Sequence, residues 1–399
     1  MEKTAQTSAE GAREIVVAAD GSGDYAALQE AIDAVVAGGS IRIKPGVYKG
    51  SVRLEKPLTI KGVDGSIRAR ASEDLPVLLL GSDGHLTVTE QAAGARISGV
   101  VFTQFAENFE NLAEYSEQRD DFDEESTDER AKAVSAWYRL DEDKRPDGYL
   151  AHIAGAVEFH DTALLCPMED LCEISAGEPL FSDCFFGRGL LFLGKWHTAV
   201  HIKNDASPVM RRCSFGGVQL HLRDKAGGTY RDCNIAASGD DGIQISDMAG
   251  GTYENCDIHD NEKDGICIYD SARPTVRNCE MYGHPYSGIF ILGDAGGTYE
   301  NCDIHDNEWF GIGIHDSAVP TIEDCKIYDN GEEYELGPAI FVRDSAKPTV
   351  RNCEMYGHPY SGIFILGDAG GTYEDCNIHD NGRYNVCNYS FGNPVIRNC

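Results

Sequence analysis

The stretch GGTYENCDIHDNEKDGICIYDS, residues 250–271, is followed by RPTVRNCEMYGHPYSGIFILGD at 273–294 and by GGTYENCDIHDNEWFGIGIHDS at 296–317. The three copies begin at equal intervals, and each carries one cysteine at the same place. A fixed period of about 20 to 50 residues is typical of solenoid proteins, in which each repeat packs on its neighbours. We therefore predict that residues 233–399 form a regular array of 23-residue repeats.

One cysteine per repeat forms a series that we call the ladder cysteines. The steps between them are equal, apart from one longer step between the fifth and the sixth: Cys233, Cys256, Cys279, Cys302, Cys325, Cys353, Cys376 and Cys399. Stacked strands lie about 4.8 Å apart, whereas the Cβ atoms of a disulfide prefer about 3.8 Å. We therefore predict reduced, buried cysteines and a cytoplasmic protein, with the nucleus as the alternative compartment. No CxxC pair occurs, and no metal site is predicted.

The composition limits the choice of partners. The formal net charge of −32 repels nucleic-acid phosphates and anionic membranes. We therefore expect a protein partner or a polysaccharide, with no nucleic acid and no membrane. No signal peptide or membrane-spanning run is recognised. The sequence ends inside a repeat at Cys399, so a homo-oligomer through the open C-terminal end is a further alternative.

The N-terminal region predicts a cap for the solenoid. Residues 1–13 are expected to be a disordered tail, and residues 14–399 one domain. After a strand at Ile15–Ala18, Asp24 is predicted to cap a helix that ends at Gly38 and Gly39. Its apolar face would be Leu28, Ala31, Ile32 and Val35, and short strands would follow at Ile41–Ile43, Val52–Leu54 and Leu58–Ile60.

A family resemblance begins in the same region. DGSGDYAALQEAID at 20–33 and SIRIKPGVYKGSVRLEKPLTIKG at 40–62 resemble the opening coils of the pectin-lyase-like superfamily, and the first part resembles pectin methylesterases. The later pattern PxxxxCxIxxNxxxGIxI is similar to the carbohydrate-binding and sugar-hydrolase type of β-helix domain, as in NosD-like proteins and F-box ubiquitin-ligase receptors with β-helix repeats. The resemblance implies an all-β fold, a single-stranded right-handed parallel β-helix solenoid of about 13 coils with an N-terminal capping helix.

Residues 105–148 interrupt the β-helix pattern. This segment is polar, acidic and rich in helix-forming residues, and we predict an acidic α-helical insertion. Insertions in repeat proteins map to one face, which is often a binding face. A solvated spacer is the alternative.

The GIxI segment of each repeat predicts two outward rows of side chains, because apolar residues on either side point inward. The first row is His201, His221, Gln244, Cys267, Phe290, Gly313, Phe341 and Phe364, and the second is Lys203, Arg223, Ser246, Tyr269, Leu292, His315, Arg343 and Leu366. One end of these rows is basic and polar, whereas the other is an exposed apolar stripe. The predicted ligand- or partner-binding residues are Gln244, Tyr269, Phe290, Leu292, Phe341 and Phe364.

Candidate catalytic chemistry lies beside the basic end. The string Ser238-Gly239-Asp240-Asp241-Gly242 resembles the GDD element of polygalacturonases, in which acidic residues protonate the glycosidic oxygen and activate water. Asp241 also aligns with Asp264 of the plain repeat, where a turn residue is the simpler interpretation. A lyase would combine Ca²⁺, the candidate cofactor, with a basic residue. The candidate catalytic residues are Asp240, Asp241, Lys203, Arg223, His201 and His221.

Two classes of function follow from these features. The first is a recognition or scaffold module that binds a protein or a glycan along the solenoid face. The second is a polysaccharide lyase, hydrolase or epimerase that acts on an acidic polysaccharide. The HDN triplets at 259–261, 305–307 and 379–381 recur with the repeat and are interpreted as turn residues.

Overall fold

The structure is a computed structural model of the chain. It describes residues 12–64, 67, 74–80, 84–103, 149–166, 170–187, 198–331 and 337–399. The chain divides into two compact units, Met1–Pro167 with Gly177–Gly194, and Met168–Ala176 with Lys195–Cys399. The predicted helical insertion at 105–148 lies outside the described residues, as do most of the predicted tail and the segment 332–336.

The first unit contains three parallel sheets, to which successive strands contribute in turn. One sheet contains Glu14–Val17, Ser40–Ile43, Thr59–Lys61, Arg96–Ser98, Glu158–His160 and Leu180–Ser182. The second contains Gly46–Lys49, Pro76–Leu79, Val101–Thr103, Ala163–Leu165 and Phe185–Gly187, and the third contains Val52–Leu54, Leu86–Val88 and Ala151–Ile153. A 3-10 helix spans Glu90–Ala92.

The predicted N-terminal helix forms at Leu28–Ala34, and Leu28, Ala31 and Ile32 are buried as expected. The predicted cap was wrong. Ala27 occupies the N-cap without a side-chain hydrogen bond, because the carboxylate of Asp24 accepts the Val16 N–H at 2.8 Å instead. The predicted end was also wrong, since the helix stops at Ala34, before the two glycines.

The second unit repeats three strands per coil, and we call its sheets A, B and C. Sheet C contains Cys172–Ile174, Ala199–Ile202, Gln219–Leu222, Ile243–Ile245, Ile266–Ile268, Ile289–Ile291, Ile312–Ile314, Ile340–Val342, Ser361–Gly367 and Tyr384–Ser390. Sheet A contains Val209–Arg211, Thr229–Arg231, Thr252–Glu254, Thr275–Arg277, Thr298–Glu300, Thr321–Glu323, Thr349–Arg351, Thr372–Glu374 and Val395–Arg397. Sheet B contains Ser214–Gly216, Asn234–Ala236, Asp257–His259, Glu280–Tyr282, Asp303–His305, Lys326–Tyr328, Glu354–Tyr356 and Asn377–Ile378.

Aliphatic, cysteine and tyrosine side chains form the core of the second unit. The inward residues of sheet C stack in register; Ile289, for example, pairs with Ile266 and Ile312, and all three are fully buried. All 14 cysteines are free. The ladder cysteines before Cys399 are buried and bond backbone carbonyls, as in Cys233 Sγ to Arg231 O at 3.4 Å. The predicted buried cysteine ladder is therefore confirmed.

Turn chemistry explains the polar part of the repeat. The residue before a ladder cysteine has a left-handed backbone, with φ of 53° at Asn255 and Asn278, which favours asparagine and aspartate. The HDN triplets serve the same purpose. Asn307 is buried, accepts the His284 N–H and donates to Met281 O, so it links coils along the solenoid. The turn interpretation of HDN is confirmed for its aspartate and asparagine, since Asp260 and Asp306 have φ of 52°, but it was wrong for its histidine, because His259 and His305 are the last residues of sheet B strands.

Candidate functional site on the outer face of sheet C

The outer face of sheet C carries the predicted first row in register. His201 pairs with His221, His221 with Gln244, and Gln244 with Cys267. The row continues through the register pairs of Phe290, Gly313, Phe341 and Phe364. The predicted basic cluster and aromatic stripe therefore lie on one face.

Acidic neighbours hold the first basic residues of this face. The Lys203 ammonium lies 2.7 Å from the carboxylate of Glu173, and His201 Nε2 lies 3.0 Å from Asp170. The rings of His201 and His221 are 5.1 Å apart between centroids. Lys203 is therefore a paired cation, and it is better suited to order this end of the sheet than to act as a base.

The strand Gln219–Leu222 and the residue after it carry buried side-chain nitrogen atoms that lack partners among the described residues. Gln219 Nε2, His221 Nε2 and Arg223 Nε are buried, and within the described part of the chain none has a hydrogen-bond partner. Gln219 is only 5% exposed. A buried, unpaired polar group costs about 1–3 kcal/mol, so these three neighbouring groups are candidates for contact with a ligand or an ordered water. Gln219 was not among the predicted site residues, because it precedes the GIxI-like segment.

The chemical state of His221 follows from its surroundings. Burial lowers the pKa of His221 to about 4, and the neighbouring His201 and Arg223 act in the same direction. The ring is therefore neutral at pH 7 and offers one N–H donor.

Stacked carboxylates lie one coil further along. Asp240 is paired with the Lys263 ammonium at 2.6 Å. Asp241 Oδ1 accepts the Asp264 N–H at 3.1 Å, and Asp264 Oδ1 accepts the Ser287 N–H at 2.7 Å. Asp241 lies just before the strand Ile243–Ile245, and its hydrogen bond to the next coil places two carboxylates side by side.

Crowding of these carboxylates changes their protonation. Burial, followed by the charges of Asp264 and Asp240, raises the pKa of Asp241 to about 7, and burial raises the pKa of Asp264 to about 6. Cys267 lies beside them, and ligand atoms of Asp241, Asp264 and Cys267 are all within 4.8 Å of one another. A cluster of this kind can share a proton or hold a cation.

The aromatic stripe occupies the other end of the face. Phe341 contacts Phe310 and Phe364, with ring centroids 4.9 Å and 5.4 Å away. His315 lies between Phe290 and Phe341, at 4.7 Å and 5.6 Å, and its Nε2 is buried without a partner in the described residues. Phe290, Phe341 and Phe364 are half-buried rather than exposed, because they pack on one another.

Comparison with known proteins identifies the family. The family described as right handed beta helix region matches residues 198–334 and 320–399, which together span half of the chain. The chain belongs to the right-handed β-helix family. No curated protein matches this β-helix significantly.

Among solved structures, the β-helix is similar to the siphovirus 9NA tailspike receptor binding domain, with a TM-score of 0.52, 11% identity, and 96% of this chain and 75% of that chain covered. It is also similar to the Azotobacter vinelandii mannuronan C-5 epimerase AlgE4 A-module, with a TM-score of 0.46, 16% identity and coverage of 93% and 95%. It is similar as well to pectin methylesterase from carrot, with a TM-score of 0.39, 15% identity, and 72% of this chain and 82% of that chain covered. At these identities the likeness is one of fold.

Three further residues of the candidate site were not predicted from the sequence. Asp264 was interpreted as a turn residue, Ser287 was not considered, and Phe310 lies outside the GIxI rows. The alignment of Asp264 and Ser287 at the same repeat position as Asp241 was the available signal, since residues at one repeat position stack. No helix among the described residues is long and apolar enough to cross a bilayer.

Two histidines of the β-helix should affect the pH dependence of stability in opposite directions. His221 has a lowered pKa, so the unfolded chain takes up a proton near pH 6.5 before the folded chain does near pH 4. Wild type should lose about 1–2 kcal/mol of stability relative to His221→Gln over this window, a value reduced for the partial exposure of the ring. Urea unfolding of both proteins between pH 7 and pH 4 measures the difference.

His305 provides a control of opposite sign. Burial alone would lower its pKa, but the carboxylates of Asp306 and Glu280 outweigh burial and raise it. The stability that His305 contributes is therefore full below pH 6.5 and lost as the pH rises through the folded pKa. His305→Gln should be penalised most at low pH. Parallel pH profiles for the two variants would contradict these assignments.

Proposed function

We propose that the chain binds an extended acidic polysaccharide along the outer face of sheet C. The observation that carries this proposal is the set of buried, unpartnered nitrogen atoms on Gln219, His221 and Arg223, within the part of the chain that the structure describes. An amide nitrogen and a guanidinium Nε can only donate, and the neutral imidazole offers one donor. The ligand must therefore bring acceptor oxygens, which carboxylates and hydroxyl groups supply.

Charge supports an anionic ligand at this place. The protein has 66 acidic against 34 basic residues, so nearly every cation can find a carboxylate. Among the described residues Arg223 has no ion pair, and its Nε is buried. A guanidinium binds a planar carboxylate with two parallel hydrogen bonds, which suits a uronic acid.

The aromatic stripe sets the length of the ligand. Phe341 lies five strands beyond His221 on the same row, a distance of about 24 Å at the spacing of parallel strands. Half-buried rings of this kind offer apolar surface to the C–H faces of sugars. A ligand that satisfies both regions is a polymer rather than a single sugar.

A flexible peptide is less well suited to this face. The backbone groups of the central strands of sheet C pair with strands on both sides, so no edge is available there for an added β-strand. The surface therefore has to be recognised through side chains that lie in fixed rows. A rigid chain with many hydroxyl groups meets such rows at low entropic cost.

Oligouronates of increasing length test the proposal. Affinity should rise with length until the ligand reaches the aromatic stripe. Phe341→Ala should lower the affinity of long oligomers by about 10-fold, equivalent to about 1.4 kcal/mol, and leave that of a disaccharide unchanged. Isothermal titration calorimetry measures both.

The control for this experiment is Val319→Ala. Val319 is 45% exposed and outside the two outward rows of sheet C, so its loss should change no affinity. Equal losses for short and long oligomers in Phe341→Ala would contradict the proposed path. Binding of an acidic peptide without any oligouronate would instead identify the face as a protein-recognition surface.

A further inference from the structure

Two neighbouring coils bring three metal-binding side chains together. One coil supplies Asp241, and the next supplies Asp264 and Cys267. Their ligand atoms lie within 4.8 Å of one another, and no other such group of His, Cys, Asp or Glu occurs in the described part of the chain. Asp241 precedes the other two by about one full repeat, so the three residues form no local sequence motif.

Backbone hydrogen bonds fix the two carboxylates. Asp241 Oδ1 receives the N–H of Asp264, and Asp264 Oδ1 receives the N–H of Ser287. Each carboxylate is thereby oriented by the next coil. Groups that orient metal ligands in this way raise the affinity of metal sites.

A buried hydroxyl completes the cluster. Ser287 follows Asp264 at the same repeat position, and the Gly265 N–H to Ser287 O bond keeps the two in register. Ser287 is 0% exposed, its hydroxyl lies beside the Asp264 carboxylate, and its Oγ has no hydrogen bond of normal geometry among the described residues. A buried hydroxyl in this state needs an explanation, and a metal ion or a metal-bound water supplies one.

The donor set selects the kind of ion. Ca²⁺ and Mg²⁺ prefer oxygen ligands, whereas a thiolate favours Zn²⁺ and related ions. Three protein ligands leave one position of a tetrahedral ion open. Bond lengths of about 2.0–2.3 Å place the ligands of such an ion about 3.5 Å apart, so the side chains must close by about 1 Å.

We propose that Asp241, Asp264 and Cys267 bind a thiophilic divalent metal ion of the Zn²⁺ class, with the fourth position open on the outer face of sheet C. The site lies next to Gln244, one strand beyond the proposed polysaccharide donors. It is independent of the polysaccharide proposal, because Gln219, His221 and Arg223 do not belong to it.

Titration with Co²⁺ as the probe tests this site. One equivalent should produce the near-ultraviolet charge-transfer absorption of a Co²⁺–thiolate bond, and Zn²⁺ should displace it. Cys267→Ser should abolish the absorption, and Asp264→Asn should lower the affinity at least 10-fold. Circular dichroism establishes that the variants are folded.

Two controls isolate the site from other thiols and acids. Cys399 is an exposed thiol, so Cys399→Ser must leave the absorption unchanged. Asp316 Oδ2 accepts the Gly293 N–H in an exposed turn away from the proposed metal site. Asp316→Asn therefore removes a comparable carboxylate and should leave the absorption unchanged. Absence of the absorption in wild type, or its persistence in folded Cys267→Ser, would overturn the proposal. Oligouronate binding by Arg223 would be unaffected by either result.

Discussion

Replacing Ile289 with alanine is expected to lower the free energy of unfolding by about 2–5 kcal/mol. Ile289 is fully buried and stacks between Ile266 and Ile312 in sheet C. The parallel strands on both sides hold the backbone in place, so the walls of the resulting cavity can move in only slightly. Urea denaturation followed by circular dichroism measures the loss.

The neighbouring residue serves as the control for this prediction. Phe290 loses more atoms on truncation, but its side chain lies on the outer face and is half-buried. Phe290→Ala should therefore cost less than Ile289→Ala, despite the larger change in volume. The opposite order would mean that the side chains alternate the other way and that the sheet has a different register.

Replacing Arg223 with glutamine is expected to weaken binding of acidic oligosaccharides by about 10- to 100-fold. Hydrogen bonds to a charged group contribute about 1.5–3 kcal/mol, and every 1.4 kcal/mol is tenfold in affinity. Glutamine keeps a hydrogen-bond donor and much of the apolar stem of arginine. The loss of affinity therefore measures the contribution of the positive charge and of the forked guanidinium geometry. Calorimetric titration of both proteins at constant ionic strength measures it.

Arg343 is the matched control. It occupies the same position of its repeat as Arg223, but its Nε is paired with Asp344 at 3.0 Å. Arg343→Gln should change the affinity less than about 2-fold, because that cation is already neutralised. Equal losses in the two variants would show that binding depends on overall charge, and no loss in Arg223→Gln would remove this residue from the site.

The repeat made the fold and the outward rows predictable. Its constant period determines which residues stack, so the His201, His221 and Gln244 row could be written from the sequence alone. It also identified the HDN asparagines as turn residues. The helix cap at Asp24 was wrong because the same carboxylate can serve a neighbouring strand, and local sequence does not distinguish the two uses.

The candidate site was less predictable than the fold. The proposed binding site depends on polar groups that have no hydrogen-bond partner within the described part of the protein. The sequence does not show that Gln219 Nε2 is buried without a partner among the described residues. The pairing of Lys203 with Glu173 likewise depends on the preceding coil, whose strand lies about 30 residues earlier in the sequence, outside the regular 23-residue spacing. Asp264 looks like an ordinary repeat residue in the sequence. It joins a cluster only because the next and preceding coils stack on it.

Binding of a polyuronate and of its carboxyl-reduced, neutral form tests the central proposal most directly. Both polymers have the same length and linkage, so they differ only in the charge that Arg223 and its neighbours would recognise. We predict that the wild-type protein binds the polyuronate at least 10-fold more tightly, and that Arg223→Gln removes most of this preference. Equal affinity for the two polymers, or binding to neither, would contradict the proposed function.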